Sequence, residues 1–315
     1  MLFSIVIPVY NRPDEVEELL SSLTHQTDNG FEVIVVEDGS TLTCEEVCKA
    51  HGELDLRYFF KENSGPGGSR NFGAQQAQGD YLLILDSDCV IPENYIKHIR
   101  AELAAEPCDA FGGPDAAHES FSDMIKAVNY AMTSFFTTGG IRGGRKDTME
   151  KFHPRSFNMG IRTRVYNELN GFSDMRYGED IDFSIRIIES GATVRLFPEA
   201  YVFHKRRTNM RQFFRQIFHS GEARIALWKK HPHSLKLVHF LPSLFVLGTA
   251  SLLALSAFEP RLLWLPAAYC AMIFVDATLK NKSVTVGLLA ILASFVQLFG
   301  YGLGFLKQAP ALLRR

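Results

Sequence analysis

Tyr81-Leu82-Leu83-Ile84-Leu85-Asp86-Ser87-Asp88 is the most telling stretch of the chain for its architecture. Five uninterrupted apolar residues read as a buried strand. Two carboxylates one residue apart then close it. Open α/β sheets bind ligands at the carboxyl ends of their strands. A carboxylate held out of water is costly unless it is paired or bound to metal. The pair therefore suggests a hard divalent cation and the phosphates it carries. A solvated acidic loop would look the same in isolation, so the rest of the chain has to decide.

On the N-terminal side, Phe3 to Tyr10 is strand-like, and Asn11-Arg12-Pro13 opens a helix with Val16, Leu19, Leu20 and Leu23 at helical spacing. Phe31 to Val36 is a second β-branched run, closed by Glu37-Asp38-Gly39-Ser40. Next come a helix from about Cys44 to Ala50 and a strand from Leu56 to Phe60. Gly65-Pro66-Gly67-Gly68 reads as a loop and Arg70 to Ala77 as a helix leading into the Tyr81 strand. This β-α alternation implies parallel strands with right-handed crossovers. Asp38, Asp86 and Asp88 then share one edge of the sheet.

The pattern loosens from Asp109 to Phe157, with a possible helix over Phe121–Phe136 and a glycine-rich, basic loop over Thr137–Asp147. Loops of that kind often carry function. Val165–Leu169 and Ile181–Ile188 read as short helices flanking Gly171-Phe172 and Gly178-Glu179-Asp180, and Thr193–Phe197 as a last strand before Val202-Phe203-His204.

Met210 to Trp228 has the composition of an amphipathic helix, with Phe213, Phe214, Ile217 and Phe218 interleaved with Arg211, Arg215 and Arg224. Such a helix either lies in a bilayer interface or packs on a protein core. The apolar stretches C-terminal to it favour the interface. Leu235–Phe258, Leu262–Leu279 and Val284–Leu306 are those stretches. The first and third are long enough to span a bilayer; the second is marginal and carries Asp276. Two or three segments are thus expected in the membrane. The basic run from Lys205 to Lys236 places the preceding domain in the cytosol, at the inner membrane if the source is bacterial.

The formal net charge of −2 over 315 residues offers no basic field for nucleic acid. Cys44, Cys48, Cys89, Cys108 and Cys270 are odd in number and lack paired metal spacing, so they read as free thiols in a reducing compartment. Phe3–Val9 is too short, and lacks the basic flank, for a secretory signal.

Four motifs in order, extended by three later ones, then carry a resemblance. Ile5-Val6-Ile7-Pro8-Val9-Tyr10-Asn11, Val35-Val36-Glu37-Asp38-Gly39-Ser40, Gly65-Pro66-Gly67-Gly68-Ser69-Arg70-Asn71-x-Gly73, Leu85-Asp86-Ser87-Asp88 and the later Asn158-x-Gly160, Gly171-Phe172 and Gly178-Glu179-Asp180 resemble family 2 glycosyltransferases of the GT-A fold. The resemblance covers roughly residues 3 to 230. It implies a mostly parallel α/β catalytic domain over 1–209, an amphipathic region over 210–233 and a membrane region over 234–315. The Gln-x-x-Arg-Trp signature of processive synthases is not seen, which implies one sugar per cycle.

The resemblance also implies roles. Pro8, Tyr10, Asn11 and Asp38 would border the nucleotide, with Glu37 standing where aspartate is commoner. Arg70 would approach the uracil or diphosphate, and Asp86 the ribose. Asp88 would ligate Mg²⁺ or Mn²⁺, with His204 a metal or diphosphate ligand from the far end of the domain. Asp180 would be the general base of an inverting transfer, with Glu179 a supporting acid and Asp182 the runner-up; first-turn acids favoured by a helix dipole would look alike. Asn158 and Gly160 are expected on the acceptor side. The implied partners are a nucleotide-diphosphate sugar, most readily UDP-linked, a lipid-linked acceptor and membrane lipid. Transfer directly to polyprenyl phosphate, and a non-catalytic nucleotide-sugar-binding scaffold, are the competing readings.

Overall fold

The computed structural model describes residues 1–116, 122–138, 152–204 and 209–313. In chain order the elements are β1 (Phe3–Val9), α1 (Pro13–Thr24), β2 (Phe31–Asp38), α2 (Glu45–Ala50), β3 (Leu56–Lys61), α3 (Gly65–Gln76), β4 (Tyr81–Leu85), β5 (Cys89–Val90), α4 (Tyr95–Ala105), β6 (Ala110–Gly112), β7 (Asp115–Ala116), α5 (Asp123–Thr133), α6 (Phe135–Thr138), β8 (Asn158–Arg162), α7 (Thr163–Glu168), α8 (Glu179–Glu189), β9 (Val194–Leu196), β10 (Val202–His204), α9 (Met210–Lys230), α10 (Leu241–Ser256), α11 (Trp264–Asn281) and α12 (Val284–Gln308). The chain divides into two units: Met1–Ala116 with Glu150–Lys205, and Ala117–Met149 with Arg206–Arg315. Most of the expected basic loop after Thr137 lies outside the described residues.

The first unit is an α/β sandwich. Its seven-stranded sheet runs β3-β2-β1-β4-β8-β6-β9. β1 pairs in parallel with β2 and β4, and β2 with β3, while β8 lies antiparallel between β4 and β6. The apolar runs are continuous rather than alternating because both faces are covered. Ile5, Ile7, Val33 and Leu83 pack with Leu19, Leu20, Ile96 and Ile99 of α1 and α4. Val6, Ile34 and Ile84 pack on the other face with Ala74, Val165, Phe183 and Ile187. The chain runs outward from β1 to β3, then returns to place β4 on the other side of β1. Strand order therefore reverses between β1 and β4, the position where such sheets open a crevice at their carboxyl ends.

One expectation changes here. Gly65-Pro66-Gly67-Gly68 is the first turn of α3, not a loop before it. The Asp38 carboxylate accepts the Ser64 and Gly65 backbone N–H groups at 2.9 Å each, which starts the helix ahead of Arg70, where the sequence predicts it to begin.

The second unit is helical and built around α12, which packs against α9, α11, α5 and α10. α5 begins at a Ser122 cap, and its Ala127 and Tyr130 pack with Ile273, Ala277, Val286 and Ala290. That packing groups the 117–149 segment with the C-terminal helices, although chain order sets it inside the α/β region. Helix α9 has its apolar side occupied by protein: Phe213 and Ile217 are buried with Val128, Ala131, Met132 and Ala293. A Cβ on Gly304 would lie 2.0 Å from the Phe218 carbonyl oxygen, and one on Gly221 would lie 2.3 Å from that of Tyr301. Small residues thus let the α9 and α12 backbones meet closely. The expectation of an apolar face turned to the bilayer is corrected for most of α9, because this packing consumes it.

Three helical stretches among the described residues are long and apolar enough to cross a membrane: Leu237–Ser256, Pro260–Asn281 and Val284–Gln308. The middle one, marginal by sequence, qualifies. Its Asp276 accepts from Tyr130 Oη at 2.7 Å and Lys280 Nζ at 2.9 Å, so the carboxylate is partnered.

Candidate active site

The site is built on the turn that leaves β4. All five strand residues are buried, and the chain then turns, with Cys89 N–H donating to the Asp86 carbonyl at 3.1 Å. The turn throws two carboxylates past the sheet edge. Arg12, just after β1, donates from Nη1 to Asp88 Oδ2 at 3.1 Å. Arg70, on α3, donates from Nη2 to Asp86 Oδ1 at 2.8 Å. The two arginines thus reach the two acids from different elements around the topological switch.

Arg70 is only 4% exposed, and its other terminal nitrogen donates to Glu179 Oε1 at 3.0 Å. Its guanidinium carbon lies 5.1 Å from the Phe172 ring centre. A buried guanidinium is tolerable when carboxylates and an aromatic face surround it. Arg70 therefore ties the end of β4 to the start of α8. Burial raises the Glu179 carboxyl above its usual range, Arg70 opposes that, and neighbouring Asp180 adds to it.

The three acids opening α8 are not equivalent. Asp182 is fully buried and accepts from Ser173 Oγ at 2.7 Å and from Arg186 Nε at 3.0 Å, which makes it an anchor for the 171–178 loop. It is not placed to act as the runner-up base. Asp180 lies nearer the helix start, is 16% exposed, and accepts from Arg155 Nε at 2.9 Å. Of the two aspartates it is the one that reaches the surface.

The acids closing β2 have another character. Glu37 is fully buried, accepting from Cys44 N at 2.8 Å and from Ser40 Oγ, with the Cys44 thiol at 3.0 Å. Through these contacts it shapes the loop after β2. Asp38 pairs with Lys61 Nζ at 2.5 Å besides capping α3. Asn11, at φ 55°, accepts the Thr41 and Leu42 N–H groups at 2.9 Å each, clamping that same loop beside the exposed Tyr10. Pro8 lies near the end of β1, in the strand that leads to this rim.

Asn158 and Gly160, expected on the acceptor side, are buried in β8. Asn158 accepts from Tyr95 Oη at 2.6 Å and donates to the Ala200 carbonyl at 2.8 Å. A Cβ on Gly160 would sit 2.0 Å from the Phe111 ring, so glycine there lets β8 pass under that ring. His204 pairs through its backbone with Cys89, the residue after Asp88, in an antiparallel β5–β10 ladder; its side chain lies outside the described atoms.

Asp86 and Asp88 offer hard oxygen donors. Among the described residues no group of three or more His, Cys, Asp or Glu forms a ready-made cage. This donor set fits a cation of the Mg²⁺ or Mn²⁺ kind that is held by one or two carboxylates and otherwise by substrate phosphates. Sequence reasoning passed over Arg12, Lys61, Asn71 and Arg155. Their partners lie 76, 23, 101 and 25 residues away, so no local spacing announces them. Asn71 Oδ1 holds the Phe172 N–H at 2.8 Å, and its presence in the glycine-rich motif was the available signal.

The family described as Glycosyl transferase family 2 matches residues 4–169, and the chain belongs to it. It is 28% identical over 233 residues to a pre-mycofactocin glycosyltransferase of Mycobacterium tuberculosis, an alignment covering 73% of this chain and 48% of that protein. It is 42% identical to an uncharacterized glycosyltransferase of Rickettsia felis over 42% of this chain and 22% of the other. The chain thus spans less than half the length of these curated relatives. Among solved structures, the mannosyltransferase PcManGT of Pyrobaculum calidifontis, in complex with GDP-Man and Mn²⁺, superposes with a TM-score of 0.65 at 17% identity, covering 93% of this chain and 86% of that one. S. aureus TarS 1–349 in complex with UDP gives 0.52 at 20% identity, covering 99% and 92%. The fold is GT-A, as in these solved structures.

Proposed function

We propose that the chain moves one sugar per cycle from a nucleotide-diphosphate sugar, most readily a UDP-sugar, to a lipid-linked glycan acceptor, with inversion. The observation that carries this reading is the continuous chain Asp86–Arg70–Glu179, with Asp180 beside it, spanning from the end of β4 to the start of α8. Solved relatives of the fold hold UDP, UDP-GlcNAc and GDP-Man with Mn²⁺, which supports a nucleotide sugar here. The nucleotide lies over the β1–β2 end, against Tyr10, Asn11 and Asp38, and the diphosphate toward Asp86 and Asp88. A bound Mg²⁺ or Mn²⁺ at Asp88 supplies Lewis-acid stabilisation of the leaving diphosphate.

In the transfer step the acceptor oxygen bonds to the anomeric carbon as the bond to the diphosphate oxygen breaks. The bonding pair leaves with the nucleoside diphosphate. The acceptor's proton passes to the Asp180 carboxylate, and Glu179 with Arg70 keeps α8 in register with the donor. The basic run before the first apolar helix supports a cytosolic catalytic unit. The three apolar helices support an acceptor that is itself held in the membrane.

Asp180→Asn is the test. It keeps shape and removes basicity, so transfer should fall by ~10²–10⁴ while UDP affinity stays nearly intact. Near-normal turnover would place the base elsewhere or favour an acceptor phosphate, which is already ionised and needs none.

A further inference from the structure

Arg155 meets Asp180 side-on. Its Nε donates to Oδ2 at 2.9 Å, and among the described residues neither terminal nitrogen has an acceptor. The side chain is 36% exposed. Two neighbouring arginines are spent. Arg70 uses both terminal nitrogens on Asp86 and Glu179. Arg186 uses Nε on Asp182 and its terminal nitrogens on the Leu169 and Gly171 carbonyls at 2.7 and 2.6 Å. Arg155 alone of the three keeps its planar fork open, and that fork matches the oxygens of a phosphate.

Its backbone is anchored as well. The Arg155 carbonyl accepts from Asn158 N–H at 3.0 Å across an isolated bridge, and the Asn158 amide is locked by Tyr95 and Ala200. Asn158 therefore acts on the site through Arg155.

The geometry points to Arg155 as a positioning residue that docks a phosphate of the acceptor beside Asp180. This deepens the proposed transfer and rests on it for the base. A phosphate on the open fork draws the guanidinium away from Oδ2. An arginine held on the base opposes proton uptake, because the ion pair is forfeited when the carboxylate is protonated. A phosphorylated acceptor thus places its own hydroxyl and weakens that opposing pair in one event; an acceptor without phosphate does neither.

The test uses the full chain in detergent with saturating UDP and Mg²⁺, titrated with inorganic phosphate and with decyl phosphate. Arg155→Gln should weaken phosphate affinity by ~10-fold or more, and Arg155→Lys should recover most of it. Asp180→Asn should tighten it several-fold, since the competing carboxylate is gone. Equal affinity in wild type and Arg155→Gln overturns the inference, as does loss of phosphate binding once UDP saturates, which would give Arg155 to the donor. Tighter, equally Arg155-dependent decyl phosphate assigns a lipid headgroup; equal affinity for the two probes assigns a free phosphate group, and either supports the inference. An Asp180→Asn chain that still transfers sugar would sink the base assignment, while its phosphate affinity would still report on Arg155.

Discussion

Two acid pairs close two strands of the same sheet, and they are used in opposite ways. Glu37 and Asp38 at the end of β2 are buried and bound by the loop, helix start and lysine around them. Asp86 and Asp88 at the end of β4 meet arginines that arrive from α3 and from the turn after β1. The first pair builds the rim of the crevice. The second balances its charge with arginines brought from separate elements. An acidic strand end is thus a position, not a role; the role comes from what reaches it.

The largest expected effect breaks the first pair. Glu37→Ala leaves the Cys44 N–H and Ser40 hydroxyl buried without their acceptor, so stability should fall by about 3 kcal/mol. Thermal melting of the full chain should show a drop of roughly 5–10 °C. An unmoved Tm would mean the loop after β2 does not depend on Glu37.

Asp88→Ala should do the reverse. It should weaken UDP with Mn²⁺ by ~10-fold or more, about 1.4 kcal/mol, and barely shift melting. Calorimetry on that variant checks it; unchanged affinity would erase the contrast between the pairs.

Asp38→Asn is a smaller step: the single amide oxygen keeps one of the two α3 cap contacts, while the other and the Lys61 ion pair are lost. About 1 kcal/mol of stability should go, and raising salt should shrink the gap between variant and wild type. A salt-independent gap would assign the loss to the cap.

The smallest effect concerns pH. The folded chain holds the Glu179 proton more tightly than the unfolded chain does. Its contribution is therefore fully present below the ordinary glutamate range and is lost as pH rises through the raised value. Glu179→Gln should flatten that mildly acidic decline in Tm, and an identical pH–Tm curve would show that Arg70 cancels the burial.

Much of this was legible in the residues. Continuous apolar runs closed by acids implied parallel strands with a functional edge, and the motifs in order pointed to the family. Glu179 and Asp180 stood out through the Gly178-Glu179-Asp180 motif, although first-turn acids of a helix would look alike. Asp182, Asn158 and Gly160 have residue types that suit both a site and a scaffold, and burial is what the sequence does not give for them. Helix α9 misled for a related reason: aromatic residues beside arginine describe a face that wants apolar contact, and composition does not say whether lipid or another helix provides it.

The alternation of elements, the edge at which acids gather and three apolar stretches, the second marginal as a span, were all written in the chain. They depend on local periodicity and run length, which every residue carries with it. Folding in three dimensions was needed to show that Glu37 shapes a loop, that Arg70 joins residues 86 and 179, that Arg155 faces Asp180, and that residues 117–149 group with the C-terminal helices. Those are mostly pairings between groups tens of residues apart, and each is selected because a buried charge or an apolar face needs a partner that chain order does not name.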